Sequence, residues 1–517
     1  MTMKKIIFIL IAALTTTFVS CEMNLLPFDA IEESQAVQTM DDAANLRISV
    51  YTPVKGLFGG MRWDVEEMRG GLFNAKADFG NYYGSFYIWD MKMSDTEVAS
   101  PWNSDYGIIA ACNFAIQSFE KLLDEKGEEL TEEEVTLLND YIAEAYMTRV
   151  MAYWDLVTKY CVAYDPATAS QTLGLPLAKE YAPTADRTKY PGRSSLEETY
   201  QLILSDLEIA SNLSTKGAPN SKYWTIDCVN AMRARVLLNM KNYEDAYDIA
   251  LNLVQNGPYS LANDRTKLAS MWTTDSSSEL LFASAGSYQD PPTSTGSYYI
   301  YDNSTQDGST PNSQYLPSQT LVDLYGKTAD ERAKDMRYSL YFQTRPINVG
   351  TTTQNLEVFW KFAGNPLYRS NEKILNYRNA GRPFRLAEQY LILAECAANL
   401  GMATDATMGT VKWLNDLRNA RIENNTSLPI NEQNAMGYVK DEWNREYVGE
   451  GFRMINMKRW GDQIVRGASQ NSSMTKAGAD YDGLTRPITD SRCVWPIPKE
   501  EIDANPQIGL DNQNPGY

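Results

Sequence analysis

Across residues 131–165, apolar side chains recur at spacings of three and four: Leu138, Ile142, Tyr146, Val150, Tyr153 and Val157. That period draws one continuous apolar stripe along an α-helix and none along a strand. Thr131 and Glu134 supply a capping box at its start, and Asp165-Pro166 closes it. A helix this long with a single stripe must bury that stripe against other elements, which predicts a mainly α scaffold.

Further helices follow from the same period. One is expected to begin near Thr39 and run into AANLRISVYTPV, and another near Trp102 to carry Tyr106, Ile109, Cys112, Ile116 and Phe119. Residues 226–240 and 243–254 read as an antiparallel pair joined by Lys241-Asn242, with small Ala246 and Ala250 permitting close approach. The segment YEDAYDIALNLV resembles the second helix of a tetratricopeptide unit. Residues 386–400 end at Gly401, a natural C-cap, and precede a helix over 406–422 bearing Val411, Leu414 and Leu417. No clean repeat at roughly 34 residues is found. The expectation is an irregular tetratricopeptide-like α–α superhelix with long, loop-rich insertions.

Composition removes whole classes of chemistry. The chain has 0 histidines, which excludes Ser-His-Asp and Cys-His catalysis, His-ligated metals and imidazole switching. A net charge of −19 opposes nucleic acid and acidic lipid as partners. The 66 Asp and Glu leave carboxylate-only chemistry open, as in a glycosidase, although no motif marks a paired-carboxylate cleft. Cys112, Cys161, Cys228, Cys396 and Cys493 show no CxxC spacing, so no structural zinc site or other metal is expected. Cys112 and Cys396 read as small buried residues, and pairing among the five stays open.

The N-terminus carries Lys4-Lys5, an apolar run over 6–14 and Phe18-Val19-Ser20-Cys21. This is the layout of a secretory signal, and the run is too short to span a bilayer. Cys21 after small Ser20 reads as a lipobox: residues 1–20 are cleaved, Cys21 takes diacylglycerol and an acyl chain such as palmitate, and 21–38 form a tether. The plainer reading is ordinary cleavage with Cys21 an incidental thiol. No other segment is expected to cross a membrane.

Two insertions hold the candidate binding groups, because loops on a rigid scaffold commonly do. The first, 56–101, offers Asp78 and Asn81 for hydroxyl contacts and Tyr82, Tyr83 and Trp89 as a stacking platform, alongside Trp63, Phe79, Phe86 and Tyr87. The second, 286–319, adds Tyr298, Tyr299 and Tyr301, with Tyr288 and Tyr315 nearby. An aromatic face stacks on the C–H face of a pyranose while amides and carboxylates hold its hydroxyls. Each ring has a second reading, as a plug between loop and scaffold. Trp102 and Tyr106 are assigned to the scaffold.

Two C-terminal segments are specific. The tail VWPIPKEEIDANPQIGLDNQNPGY, with Asn505-Pro506 and Asn514-Pro515-Gly516-Tyr517, resembles the closing signature of the RagB/SusD family. WNREYVGEGFRMINMKRWG resembles that family's second block, departing at Phe452 and at Asn456, where Asp is usual. The resemblance implies a single domain over 39–517, with a helical part about 39–285 and a RagB/SusD part about 286–517. It further implies a surface lipoprotein of the outer membrane that captures a nutrient, usually a glycan, for a SusC-like TonB-dependent transporter. It implies neither cofactor nor catalysis. A peptide ligand is the alternative within the family, and a helical-repeat adaptor or a carboxylate glycosidase lies outside it. Arg445, Glu446, Glu450, Arg453 and Arg459, at helical spacing, are expected to form ion pairs that pin the C-terminal segment.

Overall fold

A computed structural model describes residues 36–296, 313–369 and 375–517. Its frame is a succession of helices: α1 (Met40–Tyr51), α2 (Met61–Arg69), α3 (Gly84–Tyr87), α4 (Thr96–Lys126), α5 (Glu132–Tyr160), α6 (Leu196–Ala210), α7 (Ile226–Asn239) and α8 (Tyr243–Asn256). After α9 (Arg265–Thr273) come α10 (Leu386–Asn399), α11 (Thr410–Asn419), α12 (Ala435–Tyr447) and α13 (Arg453–Trp460). From α4 to α8 each helix packs on its predecessor; α10 then packs on α8, and α11 and α12 on α10. The stack is a tetratricopeptide-like superhelix, and Ala246, Ala250, Ala387 and Ala394 are buried in its α8–α10 seam.

The capping box expected at Thr131 is formed, and α1 has one of the same kind. Thr39 and Asp42 make a reciprocal capping box at α1, and Thr131 and Glu134 do the same at α5. Three boundaries differ. Trp102 lies inside α4, which starts at Thr96 and accommodates Pro101 near its beginning. A proline disfavours helix in the residue before it, which is why the sequence alone places the start later. The helix α5 stops at Tyr160, because Cys161 is already extended. The helix expected over 406–422 forms only as α11.

The expected first loop contains the helix α2. Arg62, Asp64, Glu66, Glu67 and Arg69 are all buried there. Arg62 donates to Asp105 at 2.9 Å and Arg69 to Glu66 at 2.9 Å, while Trp495 Nε1 donates to Glu66 at 2.8 Å. Five of its nine residues are charged, so the segment reads as a polar stretch although those charges are buried.

Strands are few and paired antiparallel in four ribbons: β1 (Phe73–Ala75) with β4 (Tyr315–Pro317), β2 (Leu173–Pro176) with β3 (Arg193–Ser195), β5 (Phe342–Val349) with β6 (Thr352–Phe359), and β7 (Ile464–Val465) with β8 (Thr485–Arg486). All five described cysteines are buried and unpaired.

The C-terminal motif forms a buried ion network. Glu446 accepts from Arg385 (2.8 Å), Arg421 (3.0 Å) and Arg337 (3.0 Å), and Glu450 from Lys361 and Arg385, both at 2.7 Å. Arg445 pairs with Glu442, and Arg459 with Glu395. Arg453 differs: it donates to the Gly70 carbonyl at 2.8 Å and to Asn444 at 2.9 Å. The tail serves the end of α5, whose last carbonyls have no partner within the helix. Asn514 Nδ2 donates to the Tyr160 carbonyl at 2.8 Å, Trp495 N–H to that of Lys159 at 2.9 Å, and Lys458 to those of Thr158 and Cys161.

Candidate functional site

The chain leaves α2 through Gly70-Gly71, where a Cβ on Gly71 would lie 2.4 Å from the Val465 carbonyl oxygen. It then forms β1, and residues 76–83 loop outward before α3. The loop is clamped on both flanks. Lys76 N–H donates to the Gln314 carbonyl and Gly80 N–H to Gln314 Oε1, at 2.9 and 2.6 Å. On the other flank Ala77 N–H donates to Met474 and Lys476 N–H to Ala75, both at 2.9 Å.

Beneath the loop lies a packed aromatic layer. Phe79 and Tyr87 each contact Tyr315 and Tyr481, with centroids 5.1 to 6.2 Å apart. The Arg466 guanidinium covers the Tyr87 ring at 3.7 Å. Tyr87 hydroxyl accepts from Ala75 N–H at 3.0 Å, and burial pushes that phenol upward in pKa. Tyr315 hydroxyl donates to the Tyr82 carbonyl at 2.6 Å, fixing the loop tip.

At that tip Asp78, Asn81 and Tyr82 are exposed together, Tyr82 to 49%. Asp78 pairs with Lys76 Nζ at 3.0 Å, and Lys476 lies over Phe79 and Tyr481 at 5.1 and 4.6 Å. The amide of Asn81 folds over Gly84, where a Cβ would meet its Oδ1 at 2.0 Å. Asn81, Tyr83 and Trp89 hold φ of 58°, 51° and 63°, the left-handed region that side chains seldom occupy. Each such residue costs on the order of 1–3 kcal/mol, and such residues cluster where a binding surface is held in a set shape.

Three of the predicted groups therefore share one surface, and two do not join it fully. Tyr83 is half-buried and packs against two hydrophobic clusters. Trp89 is a correction: its exposure is 0%, and it lies under the Arg69 guanidinium at 4.5 Å with Met454, Met457 and Ile464 around it. It fills the seam between α2 and α13 and offers no face to a ligand. Tyr298, Tyr299, Tyr301 and Cys21 lie outside the described residues. Of the other loop aromatics, Tyr315, Phe86 and Tyr87 are buried plugs and Tyr288 is exposed. Sequence reading missed Gln314, Lys476 and Tyr481, which lie singly in polar stretches without a pattern to mark them. Among the described residues no cluster of three or more Cys, Asp or Glu is placed to hold a metal.

Residues 346–517 match the sequence profile of the SusD family, and residues 49–235 match one described as starch-binding associating with outer membrane. Solved structures agree over the whole scaffold. A SusD superfamily protein from Bacteroides thetaiotaomicron is 26% identical, with 92% of this chain and 100% of that one covered and a TM-score of 0.74. A SusD-like carbohydrate binding protein from Bacteroides vulgatus (18% identical, 92% and 98% covered, TM-score 0.72) shares the fold. So does surface glycan-binding protein A from Bacteroides fluxus (20% identical, 93% and 100% covered, TM-score 0.68). No curated protein sequence matches the chain. The chain belongs to the SusD/RagB family.

Proposed function

We propose that this protein binds a nutrient glycan at the outer membrane and passes it to a SusC-like TonB-dependent transporter. The observation that carries this reading is the clamped 76–83 loop, which presents Tyr82 beside Asp78 and Asn81 on a backbone held in a costly shape. A half-exposed ring beside a carboxylate and an amide suits a pyranose, whose C–H face stacks while its hydroxyls are bonded. The names of the family profile and of two structural neighbours support carbohydrate over other nutrients. The role is capture without turnover, since no paired-carboxylate motif is recognised in the sequence. An acylated Cys21 would hold the protein in the plane of the transporter and raise their effective concentration.

Affinity electrophoresis in gels containing soluble starch, laminarin, xylan, galactomannan or levan tests the ligand. Wild type should be retarded by at least one of them, and Tyr82→Ala should weaken that binding about three- to tenfold, the worth of one aromatic stacking contact. The melting temperature should not change, because the Tyr82 ring is half in solvent. No retardation in any gel, together with binding of an oligopeptide pool, would replace the glycan by a peptide.

A further inference from the structure

A separate cleft of about 200 Å³ opens between the C-terminal half of α1, the 3-10 turn Thr52–Leu57, the segment before α7, and residues 282–290. Two apolar side chains at its walls are left outside the core: Ile48 is 61% exposed and Tyr223 44%.

Tyr223 is nevertheless held in place. The Arg47 guanidinium lies 3.8 Å from its ring centroid, and the Tyr51 ring meets it edge-on at 5.2 Å. Both supports are fixed in turn. Arg47 makes a two-point bond to buried Glu144 at 2.5 and 2.6 Å, and the Tyr51 hydroxyl accepts from Trp224 N–H at 2.8 Å. Burial pushes the Glu144 carboxyl upward, with Arg47 opposing, and raises Tyr51 well above its ordinary value. An exposed tyrosine braced by two layers of buried partners is a preorganised surface.

The polar side of the cleft is equally built. Asp290 is ion-paired with Lys55 while most of its side chain faces solvent. Thr293 hydroxyl donates to the Lys55 carbonyl at 3.3 Å, and Thr295 Oγ1 accepts from Gly60 N–H at 2.9 Å, fixing the Asp290 segment to the turn. Ser284 Oγ accepts from Gly381 N–H at 2.7 Å and retains its own proton to donate.

We infer that this cleft is a second saccharide subsite, in which Tyr223 stacks on one pyranose ring and the Lys55–Asp290 pair binds its hydroxyls. A carboxylate beside an ammonium suits adjacent sugar hydroxyls, one donating to Asp290 and the next accepting from Lys55. A peptide added as an extra strand needs a sheet edge, and none of the eight described strands contributes to these walls. The ligand class rests on the glycan reading above; the site does not share the residues of the 76–83 loop.

The test uses the full chain, the same five polysaccharide gels, and Tyr223→Ala, Asp290→Asn and Tyr82→Ala singly and in combination. Whichever glycan retards wild type should bind at least threefold more weakly to Tyr223→Ala and Asp290→Asn, with unchanged melting temperatures. Tyr82→Ala combined with Tyr223→Ala should be weaker than either alone. Retardation of wild type with Tyr223→Ala and Asp290→Asn indistinguishable from it would overturn the subsite and leave the glycan reading standing. No retardation of wild type in any gel would remove both. Unaltered retardation with loss of a co-purifying membrane protein in Tyr223→Ala would overturn the subsite and make the cleft a protein-docking face.

Discussion

The carboxylate of Glu67 sits inside the protein, facing the turn between α12 and α13. Gly451 N–H donates to it at 3.0 Å, and Gly451 can make that approach because its φ is +79° and a Cβ there would lie 2.6 Å from Trp63. Burial pushes the group up to about 7, with backbone N–H groups and Arg453 opposing. A folded-state value above the ordinary 4.5 means that the protonated form favours folding. Its contribution is whole below about 4.5 and is lost as pH rises through about 7. Urea unfolding of wild type and Glu67→Gln at pH 4.5, 6 and 8 should show the difference shifting toward the variant by roughly 3 kcal/mol. A pH-independent difference would mean that Glu67 is ionised in the fold throughout.

At the scale of elements, α12 and α13 are held by charges that are almost wholly out of water. Desolvation alone would raise the pKa of Glu446, but Arg421, Arg385 and Arg337 outweigh it and hold the carboxyl well below its usual range. Removing one member leaves uncompensated buried guanidinium groups, a cost of about 3–5 kcal/mol. Glu446→Gln should therefore lower stability by that order at neutral pH, measured by urea midpoint at constant m-value. The sign with pH is opposite to that of Glu67. The depressed group gives stability above the ordinary 4.5 and loses it as pH falls through the lower folded value, so the gap between wild type and Glu446→Gln should narrow in acid. A gap that stays constant to low pH would argue against ion pairing as its source.

At the scale of the whole molecule, the stack from α4 to α12 forms one scaffold, and no described helix is long and apolar enough to cross a membrane. The proposed attachment is the acylated Cys21. Cys21→Ala expressed in the native host should leave the outer-membrane fraction, while wild type should remain there and co-purify a large barrel protein. Persistence of the variant in that fraction would show that something other than lipid retains it.

The helical stack was legible because the stripes of α5, α7, α8 and α10 have a period that survives in one dimension, and because Thr131 caps through a residue three positions away. Ion pairing of Glu446 and Glu450 was expected from helical spacing, but none of their pairs follows it: Glu450 lies beyond the end of α12, and the partners Arg337, Lys361, Arg385 and Arg421 come from distant sequence. The helix α2 was not legible, since five charged residues in nine read as solvent-facing loop and only the tertiary structure buries them. Nor was the fate of each loop aromatic. Tyr82 and Trp89 are alike in local context, and only the packing of Arg69 and α13 buries one while the Tyr315 hydroxyl holds the other at the surface. Periodicity and capping are local properties that sequence determines by itself. Exposure depends on which distant segment arrives to cover a side chain, and the tertiary structure alone decides that.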